Sequence, residues 1–292
     1  MASRVVVVGD VMLDVVVRPL GPIAPTSDTP SDIRVARGGS GANFAVSLRL
    51  SGHDTCYVGA RGRDSSSEIF ANALTSAKVT SALEVVDAPT GTVVSIVAEG
   101  GERMMLTDRG ANSLLSAGFV EAQLAAPFDH LHVSGYLLLD PATRAIAEGA
   151  LRHAKEHSSS TSVDVCSVAP LRAMTSQVFL RSATHAAEIF ANEEEALELT
   201  DTEDVEEAAD VLSRLFGEVV ITRGSKGALC AIGEERFHVD AHRVAVLDTT
   251  GAGDAATGAY LGARLHGVAP AQALAIAMEA AARVVGGLGA FG

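Results

Sequence analysis

The chain has 292 residues, 48% of them hydrophobic but only 4% aromatic, with no tryptophan and a formal charge of −14 from 22 basic and 36 acidic residues. That balance repels nucleic acid and anionic membrane surfaces, which excludes both as partners, and a polyanionic substrate would need local cationic help. The three cysteines, Cys56, Cys166 and Cys230, show no CxxC spacing, so they indicate neither a zinc site nor a disulfide framework, and a reducing cytoplasm is expected.

Val5 to Val8 reads as a buried strand, and Asp10 and Asp14 follow too soon for a signal-peptide core or a membrane span. Val15 to Val17 is a second short strand, followed by prolines at 19, 22, 25 and 30 that forbid a helix. Ile33 to Val35 is extended again. Gly38-Gly39-Ser40-Gly41 then opens a helix over 42–50 that Gly52 closes. Cys56 to Val58 and a helix over 65–77 continue the alternation. Between about 82 and 107 no helix fits, and Leu83 to Val86, Thr92 to Ala98 and Met104 to Leu106 read as short strands.

From Leu131 the β–α alternation returns: strand 131–133, helix 142–157, strands 162–165 and 188–191, helix 204–216 and strand 219–222. A hairpin around Gly224 to Gly233 and two helices finish the chain. The pattern predicts one α/β domain over 1–292, with a mostly parallel sheet flanked by helices. The β-only insertions, about 11–37 and 82–110, are expected to meet as a small β-sheet lid that excludes water from the reaction.

The most informative run is Asp248-Thr249-Thr250-Gly251-Ala252-Gly253-Asp254, set before a stretch of small residues. Its glycines let backbone N–H groups approach a ligand, and a helix starting there aims its positive end at an anion. Asp254 beside that anion is placed to take a proton from an attacking hydroxyl. The run also satisfies GxGxxA, but the dinucleotide fingerprint requires a following strand with an acidic end. Here only another helix remains, so a dehydrogenase is rejected.

Other motifs each carry a plainer alternative. Gly38-Gly39-Ser40-Gly41-Ala42-Asn43 suits a polyol or is a tight turn into a helix, and Asp14 or Asp10 can bind adjacent hydroxyls or serve as a turn residue. Thr222-Arg223-Gly224-Ser225-Lys226-Gly227 offers N–H groups, a hydroxyl and a cation, or is an ordinary hairpin. Asn192 with Glu195 is a capping box or a hold on Mg²⁺ through water. Arg109 can meet substrate oxygens or simply be solvated. None of the nine histidines is assigned a role.

Taken together, Gly38 to Asn43, Asn192 with Glu195, Thr222 to Gly227 and Asp248 to Asp254 stand in the order and spacing of the ribokinase-like, or PfkB, carbohydrate kinases. The chain resembles that family over essentially its whole length. The resemblance implies a Rossmann-like domain with a β-sheet lid, ATP and Mg²⁺, and transfer of the γ-phosphoryl group to a hydroxyl, usually a hydroxymethyl.

By matching position, Asp254 would be the general base and the backbone of Gly251, Ala252 and Gly253 the anion hole. Asp14, Gly38, Gly39, Asn43 and Arg109 would serve the acceptor, and Asn192, Thr222, Gly224, Ser225 and Gly227 the ATP. Glu195 would organise the hydrated Mg²⁺. Asp248 and Thr250 match two ligands of a monovalent cation such as K⁺. Ribokinase proper resembles GGKGAN where this chain has Ser40, which weakens an assignment to ribose and leaves a small sugar, a sugar acid or a ribonucleoside. In the family, lid sheets can pair between two subunits, and the alternation in Thr92 to Ala98 permits such a homodimer. The alternative is a non-catalytic sugar- or nucleotide-sensing member, which would gain nothing from the base at Asp254.

Overall fold

The computed structural model describes residues 2–97, 103–245 and 249–287. Consecutive valines make β1 (Arg4–Val8), whose Val5 to Val8 are fully buried. β-Branched residues packed on both faces suit the centre of a parallel sheet. β2 (Met12–Pro19) and β3 (Ser31–Gly38) follow, then α1 (Ser40–Leu50), β4 (Asp54–Arg61), α2 (Ser65–Ser76), β5 (Thr80–Val85), β6 (Gly91–Val97) and β7 (Arg103–Asp108). Next come α3 (Ala117–Leu124), β8 (His130–Ser134), α4 (Gly135–Leu139), α5 (Arg144–Glu156) and β9 (Ser160–Asp164). They lead to α6 (Val168–Met174), α7 (Ser176–Ser182), β10 (Glu188–Asn192), α8 (Glu193–Thr200), α9 (Val205–Ser213) and β11 (Glu218–Thr222). β12 (Ala228–Ile232), β13 (Glu235–Val239), α10 (Ala252–Leu265) and α11 (Pro270–Val285) complete the described elements.

Nine strands form one sheet in the order β13-β12-β11-β10-β9-β8-β1-β4-β5. It is parallel from β5 to β11, with β12 and β13 added antiparallel. One apolar layer packs α1, α2, α10 and α11 on one face, and a second packs the helices between α3 and α9 on the other. Among the described residues no helix is long and apolar enough to cross a membrane.

The second sheet has the order β3-β2-β6-β7. The strand expected at Leu83 to Val86 in this small sheet is instead β5, paired in parallel with β4 at the edge of the large one. The reason is the crossover: α2 returns the chain to a parallel neighbour, as a βαβ unit does. The small sheet's second arm therefore starts at Gly91. Side chains alternate across it, so Asp14, Val93 and Thr107 share one face in register, while Ile33, Val17, Ile96 and Met104 share the other.

Close packing of α10 on α1 positions the most informative run. A Cβ built on Gly258 would lie 2.7 Å from Ser47 Cβ and 2.8 Å from the Phe44 carbonyl, and one on Gly262 would meet Ser51. Only glycine lets the two backbones approach this far. Ser47 Oγ uses the proximity to donate to the Ala255 carbonyl at 2.7 Å. Beneath α1, His132 stacks on Phe44 with ring centroids 3.6 Å apart, and His130 bonds Ser160 and Ser162. Burial pushes His130 down to about 3, so these histidines are neutral core members that tie β8 to β9.

Gly-to-Ala in an open helix position gains roughly 1 kcal/mol of helix propensity, but overpacking costs about 1–3 kcal/mol. Gly258→Ala is therefore expected to lower the urea midpoint. Gly149→Ala in α5, where a Cβ would meet nothing nearer than 3.9 Å, is expected to raise it.

Candidate active site

In a parallel sheet whose strand order reverses direction, ligands bind in the crevice beyond the strands' carboxyl ends at the switch point. Here β1 is that strand, with β4 and β5 to one side and β8 to β11 on the other. Asp10 follows β1, while Asp164, Asn192 and Thr222 end β9, β10 and β11. They open on a cleft of about 390 Å³, roofed on one side by Val93, Met105 and Thr107 of the small sheet.

The N-terminus of α10 forms the floor. Gly251 is its N-cap in left-handed conformation (φ 75°), and Asp254 lies in the first turn. The first N–H groups of a helix lack intrahelical partners and carry its positive dipole end. Ala252 N donates to the Thr249 carbonyl at 3.2 Å, which leaves Gly253 as the open position: no atom lies within 4 Å of where its Cβ would be. An anion can approach the backbone closely there.

Asp254 is clamped from α1. Ser40 Oγ donates to Oδ1 at 2.7 Å and Asn43 Nδ2 donates to Oδ2 at 2.8 Å. Burial raises the Asp254 carboxyl above its ordinary value, and these two donors oppose the rise by stabilising the ionised form. Ser40 also lies 3.3 Å from Asp164, whose carboxyl is pushed well up by burial and by the charges of Glu195 and Asp254. Glu195 is pushed up to about 7, first by burial, although the Asn192 N–H at 2.8 Å pulls the other way. Three carboxyls raised first by burial, with Asp254 raising Glu195 and both raising Asp164, gather acidic charge at this end of the cleft. Among the described residues no three His, Cys, Asp or Glu side chains converge to ligate a metal directly.

At the other end, Arg109 Nη1 and Nη2 donate to Asp10 at 2.6 and 3.2 Å, and Nε donates to Asp140 at 2.6 Å. Burial pushes Asp10 up while the charge and hydrogen bonds of Arg109, in a short bidentate contact, draw it back. Gly39 (φ 105°) turns the chain into α1, and a Cβ there would run into the Asp10 carbonyl. Gly38 leaves room for the Asp14 carboxylate.

Of the residues singled out in the sequence, Asp14, Gly39, Asn43, Arg109, Asn192, Glu195, Thr222, Thr250, Gly251, Gly253 and Asp254 line this cleft. Asn192 and Thr222 are in register on neighbouring strands, and the capping box of α8 forms with both of its bonds. Gly38, Ala252, Gly224, Ser225 and Gly227 are outside the lining. Gly227 (φ 92°) is buried against β13, where a Cβ would meet the Val239 carbonyl, so its glycine requirement comes from packing. Gly224 and Ser225 form an exposed turn. Asp248 lies outside the described residues. Asp164, Tyr136 and Cys166 also line the cleft, and sequence reasoning did not single them out. Asp164 had a signal: it is the acidic end of an apolar strand in a β–α alternation.

The model of the pfkB family carbohydrate kinases matches residues 2–291. Among curated proteins the chain is 29% identical over 308 residues to the bifunctional protein HldE of Vibrio atlanticus, covering 98% of this chain but 61% of that protein. It thus spans less than two thirds of that relative. It is 27% identical over 261 residues to a ribokinase of Lactococcus lactis, covering 88% of this chain and 82% of the relative. The crystal structure of adenosine kinase from Sinorhizobium meliloti superposes with a TM-score of 0.90 at 26% identity, covering 99% of this chain and 96% of the other. With the family model spanning nearly every residue, the chain belongs to the pfkB family of carbohydrate kinases.

Proposed function

We propose that the protein transfers the γ-phosphoryl group of ATP to a hydroxyl, usually a hydroxymethyl, of a small sugar, sugar acid or ribonucleoside, with Asp254 as general base. One observation carries this reading: a carboxylate, held on both oxygens by Ser40 and Asn43, stands in the first turn of a helix whose glycine start faces the cleft. An anion site needs no carboxylate, but proton abstraction beside an anion does. In the step, the acceptor oxygen forms a bond to γ-phosphorus, the bond from that phosphorus to the β,γ-bridging oxygen breaks to release ADP, and the acceptor proton passes to Asp254. The backbone at Gly251 and Gly253, which line the cleft, would serve the charge that spreads over the transferring oxygens.

The acceptor is read as lying among Asp14, Gly39, Asn43 and Arg109, and ATP as crossing Asn192 and Thr222 toward the turn at Gly224 to Gly227. The cleft carboxyls of Asp164, Glu195 and Asp254, all raised by burial, fit a hydrated Mg²⁺ that would arrive with the nucleotide and that Glu195 would hold through water. Bound there, the ion would neutralise phosphate charge. Thr250, in the cleft wall beside Gly251, supports a monovalent cation such as K⁺ under the anion hole, with Asp248 as its second ligand. The small sheet serves as the lid. Its outward row of Ile33, Val35, Met104 and Leu106, each more than half exposed, supports a homodimer through that face. A non-catalytic sensor is disfavoured, since a binder gains nothing from a desolvated carboxylate.

Acceptor-dependent ADP release tests the reading. Asp254→Asn is expected to lower kcat by roughly 10²–10⁴-fold with ATP binding retained; near-normal kcat would remove the assignment. Because only ionised Asp254 accepts the proton and burial raises its carboxyl, kcat/KM of the wild type should fall with acid from above the ordinary carboxylate range. Running the same assay with sodium in place of potassium reads the monovalent cation, which unchanged rates would exclude. A single-chain mass in sedimentation equilibrium would remove the dimer.

A further inference from the structure

The acceptor end of the cleft is rich in groups that accept hydrogen bonds. Asp10, Asp14 and Asp254 all line it, and Asn43 Oδ1 is buried with no partner among the described residues. Asn43's amide is turned so that its N–H₂ serves the Asp254 carboxylate, which leaves that carbonyl oxygen aimed to receive a proton donor. A buried acceptor left unpaired costs about 1–3 kcal/mol, so a ligand that brings an O–H group here is favoured. Hydroxyls donate; ionised carboxylates and phosphates of a substrate do not.

The same end has no cation to spare. Among the described residues lining the cleft, Arg109 is the cationic one. Its Nε, Nη1 and Nη2 are all committed, to Asp140 at 2.6 Å and to Asp10 at 2.6 and 3.2 Å. The guanidinium is also held from outside: Asp140 accepts from Ser113 at 2.7 Å and from the Ala142 N–H at 2.9 Å, so it cannot swing away without breaking its own bonds. Two carboxylates against one guanidinium leave the cluster net negative. A substrate phosphate or carboxylate placed beside it would meet repulsion from Asp10 and would have to displace that carboxylate from Arg109. Ser40, standing where ribokinase proper has a lysine, adds a hydroxyl and no charge.

We infer that the acceptor is an uncharged polyol, either a free sugar or a nucleoside, and that the Asp10–Arg109–Asp140 bridge excludes sugar acids and sugar phosphates from this cleft. The inference rests on the kinase reading above and narrows its substrate class. Arg109 then acts as a clamp that fixes the Asp10 carboxylate at the cleft wall, and its charge is spent inside the protein.

Matched pairs that keep a primary hydroxyl test this directly: fructose against fructose 1-phosphate, glucose against gluconate, and adenosine against adenosine 3′-phosphate, each assayed by ADP release with the wild-type chain. Within any pair that is turned over, the neutral member is expected to have at least roughly tenfold higher kcat/KM, equal to about 1.4 kcal/mol of discrimination. Preference for a charged member overturns the inference and leaves the kinase reading standing. No ADP release from any member, together with no ATP binding by calorimetry, removes the kinase reading and the inference with it. Asp10→Asn removes the carboxylate charge and one of the two acceptors that hold Nη1 and Nη2, and where it folds it is expected to narrow the fructose to fructose 1-phosphate ratio. An unchanged ratio in a folded, active Asp10→Asn would overturn the role of the bridge.

Discussion

The site depends on the close approach of α1 and α10. Gly258 and Gly262 remove the side chains that would hold these helices apart, and Ser47 donates to the Ala255 carbonyl across the gap. Both helices begin at glycine turns, Gly39 and Gly251, with positive φ. The packing therefore brings the two first turns together, and Ser40 and Asn43 reach the two oxygens of Asp254. A shift of even 1 Å between the helices would break hydrogen bonds of 2.7 and 2.8 Å.

The electrostatics follow from that approach. Asp254, Asp164 and Glu195 are all raised first by burial, and the charges of Glu195 and Asp254 raise Asp164 further. Such a cluster is unfavourable without compensation, and the compensation is local: the α10 N-terminus, two side-chain donors and the α8 cap. At the opposite end the compensation is internal, since Arg109 is shared by Asp10 and Asp140. The cleft thus has a helix N-terminus at one end and an internally neutralised Arg109 at the other.

Much of this was legible because it is local in sequence. The Asp248 to Asp254 run carries its turn glycines, its carboxylate and its helix within a few residues, and the Asn192 capping box needs only three. The β–α alternation named the sheet because buried parallel strands are recognisably apolar. What failed to show was non-local. Leu83 to Val86 looks the same in either sheet, and only the crossover through α2 decides for β5. The partners of Arg109 lie 99 and 31 residues away, so its bridge between Asp10 and Asp140 could not be read from the sequence around it. Gly227 reads as a ligand-facing glycine, whereas the Val239 carbonyl is what forbids a side chain there.

The central claim is that Ser40 acts through Asp254, so the most direct measurement is a double-mutant cycle on kcat with a good acceptor. Ser40→Ala alone removes a hydrogen bond to a charged group, worth about 1.5–3 kcal/mol, and is expected to cost roughly 10- to 150-fold. In the Asp254→Asn background the same change is expected to cost less than about twofold, because groups that act as a unit are not additive. Losses that multiply would contradict the account, since Ser40 would then act independently of the base.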